Sequence, residues 1–307
     1  VTHLAKLYIE PTNWCNIDCL TCMRNNWQVE TGFMAAETFE RIVAGLAALP
    51  APPSVMFSGI GEPLSHGRIA TMIARVSALG CRTEMITNGT LLTEKRAREL
   101  IDAGLDVLWV SIDGARPESY ADVRLGAELP RVLENLRRFR RLRRPAHHPV
   151  PEIGIAFVAM KRNIGDLPEL LALGKRLGVM HFHVSNLLPH TAQMSDETLY
   201  DGALRSITYS PSPWLRRLIL PKMDLNELTT EPFRAALNSG YNVVLAGTNL
   251  GLSNDVCTFI ESGSMIVGWD GSVSPCAPLL HTHTGYLRGY ERVSYRHLIG
   301  NIRERDL

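Results

Sequence analysis

The sequence predicts an α/β fold: a curved, open partial (β/α)6 barrel followed by a small C-terminal module containing a β-hairpin. Short apolar runs alternate with amphipathic helical patterns over the first two-thirds of the chain. Six such units are too few for a closed eight-stranded barrel. No glycine-rich dinucleotide fingerprint follows the first run, which sets aside a doubly wound nucleotide-binding sheet. In order, the strand-like runs are residues 7–10, 54–57, 84–86, 107–112, 154–160 and 181–187. Helical patterns fall between them at 36–49, 68–79, 93–103, 130–142 and 167–177. Gly80, Gly104 and Gly178 stand where left-handed C-caps belong, and Thr93 is a plausible N-cap. The pattern breaks after Pro189, so residues 1–190 are read as the barrel. Residues 191–250 are read as a connecting segment over the mouth, with a proline-rich stretch at 210–214 and one helix at 231–238. From Met265, two apolar runs around Asp270-Gly271 predict the hairpin of a separate module, residues 251–307. In such sheets the chemistry sits beyond the carboxyl ends of the strands.

Composition narrows the class. Of 307 residues, 45% are hydrophobic and 21% charged, as in ordinary globular proteins. Thirty-two Lys and Arg against 31 Asp and Glu give a formal net charge of +1, so nothing in the charge balance argues for nucleic-acid or membrane-surface partners. The run of arginines at 137, 138, 140, 141, 143 and 144 suits the solvated face of one helix. No apolar run approaches the ~20 residues of a membrane span, and the first residues lack a signal-peptide core. Six clustered cysteines are too few for a disulfide framework in a chain this long. A cytoplasmic enzyme with metal chemistry is expected.

Three of those cysteines carry the strongest signal. The loop after the first strand reads Pro11-Thr12-Asn13-Trp14-Cys15-Asn16-Ile17-Asp18-Cys19-Leu20-Thr21-Cys22. Three thiolates in one loop can wrap a corner of a cubic iron–sulfur cluster, which generally takes four cysteines, leaving one iron open. A structural zinc knuckle needs a second Cys or His pair nearby, and none is present.

This C-x3-C-x2-C loop resembles that of the radical S-adenosylmethionine (SAM) superfamily, and further motifs in matching order extend the resemblance along the chain. It implies that Cys15, Cys19 and Cys22 hold a [4Fe–4S] cluster whose open iron is chelated by SAM. Reductive cleavage of SAM then yields a 5'-deoxyadenosyl radical that abstracts hydrogen from substrate. Thr21 departs from the pattern, because the family often places an aromatic residue before the third cysteine.

The second strand ends Gly59-Ile60-Gly61-Glu62-Pro63. Its glycines allow close backbone approach, and Glu62 can accept from an ammonium. Here Gly61 and Glu62 carry the match to the family's glycine–glutamate motif at the SAM amino group. Thr87-Asn88-Gly89 is a turn signal in any protein and in similar proteins lies beside SAM. Ser111 and Asp113, two apart, face the same way on a strand. The resemblance assigns that strand to the ribose and Arg124 to the SAM carboxylate, which suits a guanidinium. It also places the strand end at Asn186 against adenine.

Of the remaining cysteines, Cys81 reads as a buried structural thiol. Cys257, Gly271 and Cys276 match a C-x13-G-x4-C pattern resembling the first half of a SPASM or twitch domain, whose auxiliary iron–sulfur clusters Cys257 and Cys276 would help ligate. The step Gly300-Asn301-Ile302 extends that match. No cysteine follows Cys276, so the sequence is expected to be truncated at Leu307.

Stretches such as 23–27, 108–114, 154–160 and 185–190 are similar to SPASM proteins described as maturases of tungsten-cofactor oxidoreductases. The resemblance implies a peptide or protein substrate and a reductant such as ferredoxin or flavodoxin. Two alternatives stay open: a twitch-type dehydrogenase or epimerase of a small sugar-like alcohol, and a non-catalytic iron–sulfur or zinc scaffold. His181, His183, His190, Tyr200 and Asp201 are candidates for substrate contact, each also readable as a surface or packing residue. No catalytic residue is singled out.

Overall fold

The computed structural model describes residues 4–143, 150–201, 216–245, 257–287 and 289–305. The first part of the chain runs β1 (Lys6–Ile9), β2 (Asp18–Cys19), α1 (Ala36–Ala48), β3 (Ser54–Phe57), α2 (Ile69–Ser77), β4 (Thr83–Thr87), α3 (Glu94–Asp102) and β5 (Val107–Ser111). It continues with α4 (Pro117–Ala121), β6 (Arg124–Leu125), α5 (Leu129–Leu142), β7 (Glu152–Ala159), α6 (Leu167–Leu177), β8 (His181–Asn186) and α7 (Ala192–Ser195). Then come β9 (Arg217–Leu220), α8 (Thr230–Leu237), β10 (Asn242–Leu245) and α9 (Thr258–Glu261). The last elements are β11 (Ser264–Val267), β12 (Ser272–Ser274), β13 (His283–Leu287), β14 (Tyr290–Ser294) and β15 (Gly300–Asn301).

One sheet orders its strands β10-β9-β8-β7-β5-β4-β3-β1-β11-β12-β15. The six predicted runs are therefore consecutive neighbours, and all pair in parallel. Their helices end as the glycines require, with φ of 79°, 79° and 69° at Gly80, Gly104 and Gly178. Thr93 accepts the N-cap bond from the Arg96 amide at 3.3 Å. Between sheet and helices lies a core that includes Phe57, Phe139, Phe157 and Phe182, all fully buried. Each such ring is worth about 1.5–3 kcal/mol over an exposed position. Cys81 is buried two residues before β4, at its amino end.

Two features depart from the sequence reading. The segment taken as a connection supplies two more parallel strands, β9 beside β8 and β10 beside β9. Each is only four residues long, too short for periodicity to reveal, yet Leu218 and Leu220 are fully buried. Nor is the tail separate. β11 pairs in parallel with β1, from Lys6↔Ser264 to Ile9↔Val267, and so covers a backbone edge that β1 would otherwise expose. The hairpin turns where expected, with Ile266↔Ser274 and Val267↔Val273 paired antiparallel around Gly271 at φ 83°. The proline-rich stretch 210–214 lies outside the described residues. Among those residues, no helix is long and apolar enough to cross a membrane.

Candidate active site

A cavity of about 260 Å³ opens beyond the carboxyl ends of β1, β3, β4 and β5. Cys15, Cys19 and Cys22 line it together with Gly61, Glu62, Asn88, Ser111 and Arg124. Thr21 lines it as well, where an aromatic residue was the familiar alternative. The cysteine loop is held from several sides. Cys19 pairs with Arg124 in the two-residue ladder of β2 and β6, the Cys22 amide donates to the Cys19 carbonyl at 3.1 Å, and Asn25 Nδ2 donates to the same carbonyl at 2.9 Å. Burial pushes the Cys15 thiol up, and it pushes Cys19 up to about 11 despite the opposing pull of Arg124. Cys15 and Cys19 are thus poor places for bare thiolates, and together with Cys22 they are good donors to a cationic metal centre, which takes cysteine as thiolate.

Glu62 is the knot of this rim. Its Oε1 accepts from the Leu64 amide at 2.9 Å and from Thr87 Oγ1 at 2.7 Å, while Oε2 accepts from the Asn88 amide at 2.8 Å. Burial raises its pKa against those bonds. Glu62 therefore ties the loops after β3 and β4 together while lining the cavity. Its own amide donates to the Trp14 carbonyl at 2.8 Å, fixing the cysteine loop to the same point. Gly61 permits that contact, since a Cβ there would lie 2.3 Å from the Thr12 carbonyl oxygen and 2.5 Å from that of Trp14. Both are backbone atoms and cannot swing aside. Gly61→Ala should lower stability by about 1–3 kcal/mol, as overpacking does, and reduce iron retained after reconstitution. Unchanged melting and iron content would show that the loop can yield.

Asp113 departs from expectation. Ser111 lines the cavity, but the strand ends there, and Asp113 is fully buried in the wall behind Arg124. Its Oδ2 accepts from Arg124 Nε at 2.8 Å with Nη2 at 2.6 Å, and Oδ1 accepts from the Val158 amide at 2.7 Å. Asp113 thus aims Arg124 instead of facing a ligand. Burial disfavours the Arg124 charge more than any single partner favours it, but Asp113 together with Cys19 and Tyr120 outweighs it and the pKa is raised. Asn186 ends β8 but does not line this cavity, and its Nδ2 donates to the Lys222 carbonyl at 2.9 Å.

Of the five candidates for substrate contact, only His190 reaches the cavity. It is buried against β13, where its ring meets that of His283 at 5.2 Å. Burial, reinforced by His283, holds its pKa down to about 4, so it is neutral at pH 7. His181 sits at the opposite rim, 2.6 Å from Glu152. His183 lies mid-strand in β8, Tyr200 donates to the Leu187 carbonyl at 2.9 Å, and Asp201 is near Thr198. Met23, Arg24, Ile60 and Thr87 also line the cavity. Thr87 belongs to the turn expected beside SAM, whereas sequence reasoning named no role for Met23, Arg24 or Ile60, although Met23 and Arg24 directly follow the third cysteine.

The tail packs beside this mouth. Tyr286 of β13 donates its amide to the Pro189 carbonyl at 2.8 Å. Below it, His281 Nε2 stands 3.1 Å from the buried Glu10 carboxylate, with Trp27 edge-on at 4.8 Å. Cys257 precedes α9 and is exposed, while Cys276 opens a short turn at residues 277–279. Burial raises the Cys276 pKa and Cys257 adds to the rise, so the two thiols lie within electrostatic reach.

Three thiols around one cavity at the carboxyl ends of a parallel sheet suit an enzyme that carries a metal cluster. The sequence profile of the radical SAM superfamily matches residues 9–174, and that of SPASM, an iron–sulfur cluster-binding domain, matches residues 257–307. This chain belongs to the radical SAM superfamily, and its cofactors are a [4Fe–4S] cluster and SAM. It is 32% identical over 305 residues to the tungsten-containing aldehyde ferredoxin oxidoreductase cofactor-modifying protein of Pyrococcus furiosus, covering 99% of this chain and 80% of that one. Its fold is similar to that of Streptococcus suis SuiB bound to precursor peptide SuiA, with a TM-score of 0.65 at 18% identity over 90% of this chain. The chain spans 60% of SuiB's length. Native anSMEcpe with bound AdoMet superposes with a TM-score of 0.64 at 19% identity, covering 99% of this chain and 79% of that one.

Proposed function

We propose that this enzyme cleaves SAM reductively and abstracts hydrogen from a peptide or protein, in the maturation of an oxidoreductase or its cofactor. The observation that carries this is the convergence of Cys15, Cys19 and Cys22 with Gly61, Asn88, Ser111 and Arg124 on one cavity. In this reading the three cysteines hold the cluster, which when bound supplies the electron that breaks SAM to a 5'-deoxyadenosyl radical. Arg124 offers its guanidinium to the SAM carboxylate, held in aim by Asp113. Gly61 and Asn88 shape the loops on either side, with Asn88 Oδ1 already accepting from Thr90 and so fixed in rotamer. His190 lines the cavity and is backed by β13 through the Thr284 carbonyl. Cys257 and Cys276 contribute two thiolates to an auxiliary cluster. An acidic ferredoxin or flavodoxin supplies electrons. A macromolecular substrate is supported by the relative's description as a cofactor-modifying protein and by the fold shared with a peptide-bound SuiB.

The test is anaerobic reconstitution followed by dithionite and SAM, assaying 5'-deoxyadenosine. Product is expected, and none would mark a non-catalytic scaffold. Adding a perdeuterated lysate fractionated by size then locates the substrate. Deuterium in 5'-deoxyadenosine should come from the macromolecular fraction. Transfer from the small-molecule fraction alone would favour a twitch-type dehydrogenase or epimerase.

A further inference from the structure

Each of the three sulfurs at the cavity meets a side-chain N–H. Asn88 Nδ2 lies 3.7 Å from Cys15 Sγ, Arg124 Nη1 lies 3.8 Å from Cys19 Sγ, and Arg24 Nε lies 3.4 Å from Cys22 Sγ. Two of these donors are guanidinium ions, but they differ in the charge they bring. Arg124 is matched by the buried Asp113 carboxylate at 2.6 Å. Among the described residues the carboxylate paired with Arg24 is that of Asp18 at 3.7 Å, whose side chain is 75% exposed and screened by water, while Arg24 itself is 16% exposed. Arg24 therefore delivers most of a positive charge to the edge of the cluster site.

Its place is built. Arg24 sits on the short turn Met23–Asn26 that follows Cys22, with Met23 buried beneath it. The second arm of its guanidinium, Nη2, donates to the Ile17 carbonyl at 2.5 Å. The neighbouring Asn25 holds the same turn to the loop at Cys19. The guanidinium is thus fixed at the sulfur and not a mobile surface cation. Adding an electron to a thiolate-bound cluster increases its negative charge, and hydrogen bonds to sulfur together with a nearby cation favour that reduced form.

We infer that Arg24 is a positioning residue that raises the reduction potential of the cluster through Cys22 Sγ. The inference rests on the reading that Cys15, Cys19 and Cys22 hold that cluster. It assigns the tuning of electron acceptance by the cluster to a residue outside the cysteine motif and outside the SAM-holding loops.

The experiment is a redox titration of the reconstituted protein without SAM, followed by the electron paramagnetic resonance signal that later responds to added SAM. Iron content and cluster absorbance are measured first on wild type and on Arg24→Lys, Arg24→Gln and Arg24→Met. At fixed poise Arg24→Met should lower the ratio of reduced to oxidised cluster about tenfold, a negative shift of ~59 mV for a one-electron couple. Arg24→Lys keeps charge and donor and should titrate close to wild type, and Arg24→Gln should fall between. If Arg24→Met loses its cluster, the shift of Arg24→Gln against Arg24→Lys decides in its place. A neutral variant with full cluster and the wild-type midpoint overturns the inference. Loss of cluster from both neutral variants also overturns it, making Arg24 part of the loop's scaffold. A wild-type chain that binds no cluster is a different failure, that of the underlying ligand reading, and it is visible in the iron count alone.

Discussion

Cys19→Ala should abolish both the broad charge-transfer absorbance of the SAM-binding cluster and all formation of 5'-deoxyadenosine. Cys19 is the middle cysteine of the loop, lines the cavity, and is the partner of Arg124 both in the β2–β6 ladder and through its sulfur. With one of three thiolates gone, the remaining pair cannot hold a cluster corner. Iron should fall by about four per chain, the content of one [4Fe–4S] centre. Any iron above that number belongs to the C-terminal module and should stay. The methyl left by the substitution fits a half-buried position, so melting of the apoprotein should hardly move. SAM cleavage persisting in this variant would remove Cys19 from the ligand set.

Asp113→Ala should be the most destabilising substitution at the rim. It strands the Arg124 guanidinium, whose side chain is 10% exposed, without its carboxylate, and it leaves the Val158 amide unpaired. Breaking a buried pair from one side costs about 3–5 kcal/mol, or roughly 2–4 °C in melting temperature per kcal/mol for a chain of this size. SAM affinity should fall with it, because nothing then aims Arg124. Removing both partners in Asp113→Ala/Arg124→Leu should recover much of the stability and none of the SAM binding. A double variant no more stable than the single would show that the loss comes from elsewhere in the wall.

The parallel barrel was legible because its strands lie in apolar runs followed by helices, three of which end at a glycine, Gly80, Gly104 and Gly178. The cysteine loop and Gly61-Glu62 were legible for a related reason, since their meaning lies in spacing of a few residues. What escaped the sequence depends on distance or on competition. β9 and β10 are four-residue runs that become strands only because β8 offers an open edge. The pairing of β11 with β1, like the contact of His281 with Glu10, joins residues at opposite ends of the chain, and no local pattern encodes it. Asp113 was misplaced because strand alternation aims it into the cavity, whereas the strand stops at Ser111 and Arg124 captures the carboxylate. Arg24 looked like any arginine until its nitrogen was seen against Cys22.

The pairing of β1 with β11 also constrains the order of assembly during synthesis. β1 emerges from the ribosome first, and its cysteine loop follows within a few residues. Yet Lys6 must wait for Ser264 before its second edge is occupied. Contacts so far apart in sequence close slowly, because the loop entropy is spent before the strand pairing rewards it. Until then the cysteine loop hangs from a strand held on one side only, beside β3. β13 and His281 come later still in the chain, so the contacts that hold the flank of the mouth, at Pro189 and Glu10, depend on segments made after β11.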